Sequence, residues 1–328
     1  MNISEYSNYK PNISYTENGV IANDSSTLFE VSRWYFLVIN IIFIPPTVFG
    51  NTLILVSLTR FKSLRSVRAY ILVGNLAVSD LLVGLISMPM DVVFVLSTFA
   101  SSSKTFCLWY FSLLFTSIGL SVVNLFLLSL ERFHAIASPI KHKLRFTKRR
   151  IFIMITLTWI AILFVGFLPL FGINKKLEGD FVCKKKSILT PTYINIVITI
   201  LLSSIFMNAI FFFIIVRIAT KTMHRQVLRK SLQHEKRLKK EIRHTRNMLI
   251  ITGLFILFWG PFCIAILIPG DSTTLLFVKQ LLSSLGLINS CLNWIVYGVR
   301  CKKFRTAFRS ILTCRCTQRE FKLPPTSS

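Results

Sequence analysis

Charge is scarce in this chain of 328 residues, and acid is scarcer still. Asp, Glu, Lys and Arg make up 16% of it, against about 25% in an average soluble domain. Only 13 residues are acidic, against 39 Lys and Arg. So little charge beside a hydrophobic fraction of 53% excludes a disordered chain, which needs low hydrophobicity. It argues equally against a soluble enzyme, because one or two domains could not bury so much apolar surface. Cysteine is sparse: seven in all, well below the density of a disulfide-held secreted scaffold. No nucleophile–base set, metal-ligand spacing or phosphate-binding glycine loop is found, so the chain reads as non-enzymatic. The five histidines, His134, His142, His224, His234 and His244, fall among basic residues, which makes a zinc site improbable. There is no internal repeat, so the repeated halves of a secondary transporter are missing. No basic flank leads into an early apolar run, and no cleaved signal peptide is expected.

What is present is a series of long apolar runs. A bilayer-spanning helix needs about 20 mostly apolar residues. Such runs cover residues 34–58, 70–96, 106–130, 151–171, 193–216, 248–268 and 274–299. The expected fold is therefore an all-α membrane protein, a bundle of seven transmembrane helices, with its termini on opposite sides. With the N-terminus outside, the external basic residues are Lys10, Arg33, Lys104, Lys175, Lys176, Lys184, Lys185, Lys186 and Lys279, and the other 30 of 39 lie inside. That bias sets the orientation. Three glycosylation sequons, at Asn2, Asn12 and Asn23, agree with an extracellular tail. The first span would then serve as signal and anchor at once. The basic charge is split among loops, where it meets anionic lipid, and a nucleic-acid role is not expected. Residues 221–246 contain neither Gly nor Pro and are expected to prolong the fifth and sixth helices. Four regions result: a glycosylated tail over 1–33, the bundle over 34–299, an amphipathic stretch over 300–316 and a disordered tail over 317–328.

Ionisable and amide groups in hydrocarbon each need a reason. Asp80 lies mid-span, with Asn51, Ser121, Asn124, Asn289, Ser290 and Asn293 in other spans. One carboxylate with neutral oxygen donors suits Na⁺ or a proton; a purely structural polar cluster is the alternative. Glu131 and Arg132 end the third span, and Glu241 precedes the sixth. A boundary Arg needs a carboxylate partner, and a pair broken between two helices is a candidate switch. A static charge pair is the alternative.

Taken in order, Gly50-Asn51, Leu76-Ala77-Val78-Ser79-Asp80, Cys107, Glu131-Arg132-Phe133, Trp159, Phe255 through Trp259-Gly260-Pro261-Phe262, and Asn289-Ser290 through Tyr297 resemble the rhodopsin-like (class A) G-protein-coupled receptors. The resemblance covers residues 34–316. It implies a receptor in the plasma membrane that binds an extracellular ligand and activates a heterotrimeric G protein, with arrestin, a receptor kinase and membrane lipid as further partners. It implies a disulfide between Cys107 and Cys183, and a sodium pocket at Asp80, Ser121, Asn289, Ser290 and Asn293, with no other cofactor. Arg132 would engage the G protein, and Glu241 would complete an ionic lock with Glu131 and Arg132. Phe255, Trp259, Pro261, Asn293 and Tyr297 would form the activation switch. Phe304 would start a short amphipathic eighth helix, with palmitoylation sites at Cys314 and Cys316.

The departures from the family pattern are specific. The fifth span lacks the usual proline, with Ser203 and Ser204 near that place, and Phe212 or Phe213 stands for its inner tyrosine. Trp294 replaces the seventh-helix proline, which restores a backbone N–H and removes a reason for a kink. These changes keep a non-signalling, receptor-like protein as the alternative function.

The expected ligand pocket is Leu114, Phe115, Ile118, Phe262, Ile266, Ser283 and Leu287, with Asp91 nearby. Leu114 stands where amine receptors of the family carry an Asp, and Leu287 where opsins carry the retinal lysine, so neither ligand is favoured. An apolar lining suits a peptide side chain or a small neutral or lipid-like molecule. Asp91 either faces the pocket and meets a cation or sits at the rim in contact with water or a lysine. Lys184, Lys185 and Lys186, beside Cys183, either steer an anionic ligand or are solvated loop charge.

Overall fold

Hydrocarbon offers no hydrogen-bond partner to a peptide group, so a spanning segment must satisfy its own backbone. The computed structural model describes residues 15–16, 19–20, 24–97, 100, 102–175, 181, 183, 185–226, 232–270 and 272–313, without the side chains of 15–29, 139, 140, 143, 219 and 222–248. Seven helices among these are long and apolar enough to cross a membrane. They are α1 (Asp24–Arg60), α2 (Ala69–Leu96), α3 (Lys104–Ala137), α4 (Lys148–Phe167), α5 (Pro191–Gln226), α6 (Leu232–Leu267) and α7 (Thr273–Arg300). Four of them start at a side-chain cap. The Ser103, Thr147, Thr190 and Ser272 hydroxyls accept the N–H groups of Phe106, Arg150, Tyr193 and Leu275.

A short eighth helix, α8 (Lys302–Leu312), follows α7. It buries Phe304, Ala307 and Phe308, a stripe at helical spacing, and leaves its basic residues outward. Phe304 packs edge-on against Tyr70 of α2 at 5.1 Å and lies 5.2 Å from Tyr297 of α7.

One boundary differs from the sequence reading. α1 begins at Asp24, ten residues before the apolar run, so the division between residues 33 and 34 falls inside a helix. Arg33 there donates to the Val95 carbonyl at 3.0 Å, which ties this polar turn to the end of α2. Ahead of it, Tyr15–Thr16 pairs antiparallel with Gly19–Val20, a two-residue ladder in an otherwise helical description. Asn2, Asn12, Asn23, Cys314, Cys316 and the 317–328 tail lie outside the described residues.

α3 runs through the centre and packs on α2, α4, α5 and α6; α1 closes the bundle between α2 and α7. Polarity is inverted relative to a soluble protein. Large apolar residues such as Phe152, Leu157, Phe206 and Leu257 face outward, while Asn51, Asp80, Asn124, Asn208 and Asn293 are buried. One irregularity positions the site. Residues Val83–Ser87 of α2 form a π turn, just before Pro89, whose ring would clash with a regular turn. The extra residue rotates the rest of α2 by roughly 100°.

Candidate functional site

At one end of the bundle Cys107 is bonded to Cys183, 76 positions away in sequence, with Cα atoms 5.7 Å apart. The bond straps the α4–α5 connection over α3. Beneath it lies a cavity of about 510 Å³. Leu114, Phe115, Ile118, Phe262, Ile266, Ser283, Leu287 and Asp91 all line it, so the structure brings the eight predicted pocket residues to one space. Phe94, Tyr110 and Phe111 also line it and were not anticipated, and Trp259, expected as part of the switch, forms part of its wall. Trp259 reaches this depth because α7 has a glycine beside it: a Cβ on Gly286 would lie 2.6 Å from the indole.

The rim position considered for Asp91 is not what forms. Asp91 is 0% exposed. On an unbroken helix it would lie nearly above Asp80, eleven residues and about three turns away. The π turn takes it off that line, and its partner is α3: the Tyr110 hydroxyl donates to Oδ1 at 2.7 Å. Oδ2 is buried without a hydrogen-bond partner among the described residues. Tyr110 is itself held by stacking on Phe94, with ring centroids 4.8 Å apart and planes 3° from parallel. Lys185 and Lys279 border the cavity too, both partly exposed, and Lys279 donates to the Ile268 carbonyl at 2.9 Å.

In the middle of the bundle Asp80 accepts hydrogen bonds from Ser121 at 2.9 Å and Asn293 at 2.7 Å, and Ser290 is a third partner. Helices α2, α3 and α7 thus meet on one carboxylate. Asn289, the residue before Ser290, is buried as well. The other polar residues of the spans separate from this group. Asn51 donates to the Thr47 and Ser290 carbonyls, at 2.9 and 3.0 Å, and joins α1 to α7. Asn124 belongs to a chain in which Trp159 donates to Asn75, Asn75 to Asn124 and Asn124 to Ser79, linking α4, α2 and α3.

At the opposite end Arg132 donates twice to Glu131, at 2.5 and 2.8 Å, and His142 meets the same carboxylate at 2.8 Å. His142 lies on a short helix, Pro139–Arg145, between α3 and α4 and was missed by the sequence reading. The Glu241 side chain is outside the described ones. A second missed junction lies nearby: Ser129 of α3 donates to Asn208 of α5 at 2.9 Å and sits 3.3 Å from the Thr252 hydroxyl of α6. The signal was available, since Asn208 is an amide in an apolar run.

The switch residues occupy the space between these layers. Phe255 and Trp259 of α6 are buried with rings 6.5 Å apart, and Tyr297 of α7 is buried on α8. Of the two candidates for the missing α5 tyrosine, Phe213 is 63% exposed and points away from the bundle, and Phe212 faces Gly253 of α6. Trp294 leaves α7 an uninterrupted helix and lays its indole against Gly50 of α1.

Comparison with known proteins places this geometry in context. The family model for the 7 transmembrane receptor (rhodopsin family) matches residues 50–297. The histamine H2 receptor of Cavia porcellus is 30% identical over 88% of this chain and 82% of its own length. The octopamine receptor beta-2R of Chilo suppressalis is 27% identical over 88% and 81%, and the D(1A) dopamine receptor of Xenopus laevis 27% over 97% and 79%.

Proposed function

The chain belongs to the rhodopsin family of seven-transmembrane receptors, and from that premise we propose that a ligand in the cavity beneath the disulfide activates a heterotrimeric G protein at the opposite face. It is a receptor and not an enzyme. The observation that carries the proposal is continuity along α6: Trp259 forms part of the cavity wall, Phe255 is buried one turn further in, and Thr252 beyond it meets Ser129 of α3, three residues before Arg132.

A ligand that prefers one Trp259 arrangement biases α6 and with it the hold on Arg132. A G protein bound at the opposite face must, by reciprocity, raise the affinity of the cavity for that ligand. The disulfide end faces outward in this reading, because disulfides persist in oxidising surroundings. The end rich in Lys and Arg faces the cytosol of a plasma-membrane receptor. The relatives are all named as receptors, which gives no support to a non-signalling alternative. The hard oxygens of Asp80, Ser121, Asn289, Ser290 and Asn293 suit Na⁺, which would hold α2, α3 and α7 together.

The test is Arg132→Ala, compared with wild type at matched surface level by G-protein dissociation across all G-protein classes. Activation is expected to fall to background; intact activation overturns the assignment. Glu241→Ala is expected to raise basal activity in the same assay. An unchanged baseline would mean that Glu131, itself met by His142, holds the arginine without help from Glu241.

A further inference from the structure

We propose that Asp91 is the acceptor for a cationic nitrogen of the ligand, an ammonium or guanidinium group carried on an apolar body that fills the cavity. The inference rests on the cavity being the ligand site and adds the chemical class of the ligand.

Three observations converge on it. The carboxylate is fully buried, yet it lines the cavity. One oxygen is committed to Tyr110 and the other has no partner among the described residues. A carboxylate buried in a membrane protein is costly, and an unpaired oxygen on it costlier still, so such groups mark functional contacts. Tyr110 is pinned by Phe94, which fixes the carboxylate's orientation with the unpaired oxygen left over. Finally, the walls around it are aromatic and aliphatic faces: Phe94, Phe111 and Phe115 supply π surfaces that attract a cation, and Leu114 adds no charge.

A neutral or anionic head group at this point would leave the free oxygen desolvated and unpaired. A cation donates to it directly. The lysines do not compete for it, since both remain partly exposed and Lys279 is engaged with the Ile268 carbonyl. A cavity of about 510 Å³ suits a body of one or two rings or one large side chain.

The experiment uses the purified full-length receptor and measures thermal stabilisation and affinity without any G protein. The probes are 2-phenylethylamine, histamine, tyramine and the capped amides of lysine and arginine, each beside a neutral hydroxyl analogue of the same shape. At least one cation is expected to stabilise wild type over its neutral partner. Its affinity should fall at least about 30-fold in Asp91→Asn. Stabilisation by the free amines alone identifies a small amine; stabilisation by the capped amides alone identifies a peptide side chain.

Without any ligand, Asp91→Asn is expected to melt higher than wild type, because it removes a buried charge and keeps the Tyr110 bond. Tyr110→Phe is the second variant; it retains the charge and is expected to keep the preference for cations. The proposal is overturned if no cation outperforms its neutral analogue, if Asp91→Asn binds the cation undiminished, or if ligand-free Asp91→Asn melts lower than wild type. A neutral compound that activates wild type and Asp91→Asn equally would discard the cation and keep the receptor reading. Loss of the receptor reading would show instead in the Arg132→Ala assay.

Discussion

Gly50→Ala is expected to lower the melting temperature of the receptor sharply, and Trp294→Ala in the same chain is expected to restore much of the loss. A Cβ on Gly50 would lie 1.8 to 2.2 Å from three atoms of the Trp294 indole, far inside any contact distance. Either the indole turns or α1 and α7 separate. Turning it breaks the edge-on contact with Phe49, whose ring centroid is 5.9 Å away. Separation stretches the Asn51 bond to the Ser290 carbonyl, which begins one residue from the clash. Overpacking of this kind costs roughly 1–3 kcal/mol, and here the upper end applies because a rigid ring meets backbone. Trp294→Ala alone forfeits dispersion contacts, which hold helices together where lipid cancels the hydrophobic drive. The double variant should therefore be more stable than the sum of the single losses, with a coupling of about 1 kcal/mol or more. Thermal melts of the four proteins in one detergent check this, and additive losses would show that Trp294 and Gly50 do not depend on each other.

Asp80→Ala should be the most damaging change in the centre of the bundle, and Asp80→Asn much milder. Alanine removes the acceptor for Ser121, Ser290 and Asn293 together. Each buried group left unsatisfied costs about 1–3 kcal/mol. Asparagine keeps one carbonyl acceptor and a similar shape, so most of the folded yield should survive. The milder variant then isolates the charge. If this group holds Na⁺, sodium chloride will raise the melting temperature of wild type above its value in choline chloride, and Asp80→Asn will abolish the difference. Sodium dependence that persists in Asp80→Asn would place the ion elsewhere.

Arg132 and Glu131, adjacent in the chain, were legible as a pair because a boundary arginine has few places to go. His142 was not, since its contact depends on how the α3–α4 connection folds back. The Asp80 group was legible in part. Ser121, Ser290 and Asn293 do converge on it, whereas Asn51 and Asn124 find other partners on their own faces. Sequence marks a residue as polar and mid-span but not which way it points, because spans that are apolar all round carry little facial signal. The Ser129–Asn208–Thr252 junction escaped notice for the same reason.

Composition and run length alone determined the seven apolar spans and the gathering of the basic residues in the segments that flank them. Those properties follow from the transfer of whole segments between water and hydrocarbon, which depends on residue content and not on partners. Tertiary structure alone decided the environment of Asp91. Its burial, its bond to Tyr110 and its unpaired oxygen come from a π turn in α2 and a stacked pair of rings contributed by α2 and α3. A rotation of roughly one residue about a helix axis changes which neighbour a side chain meets, and no local pattern in the chain encodes that meeting.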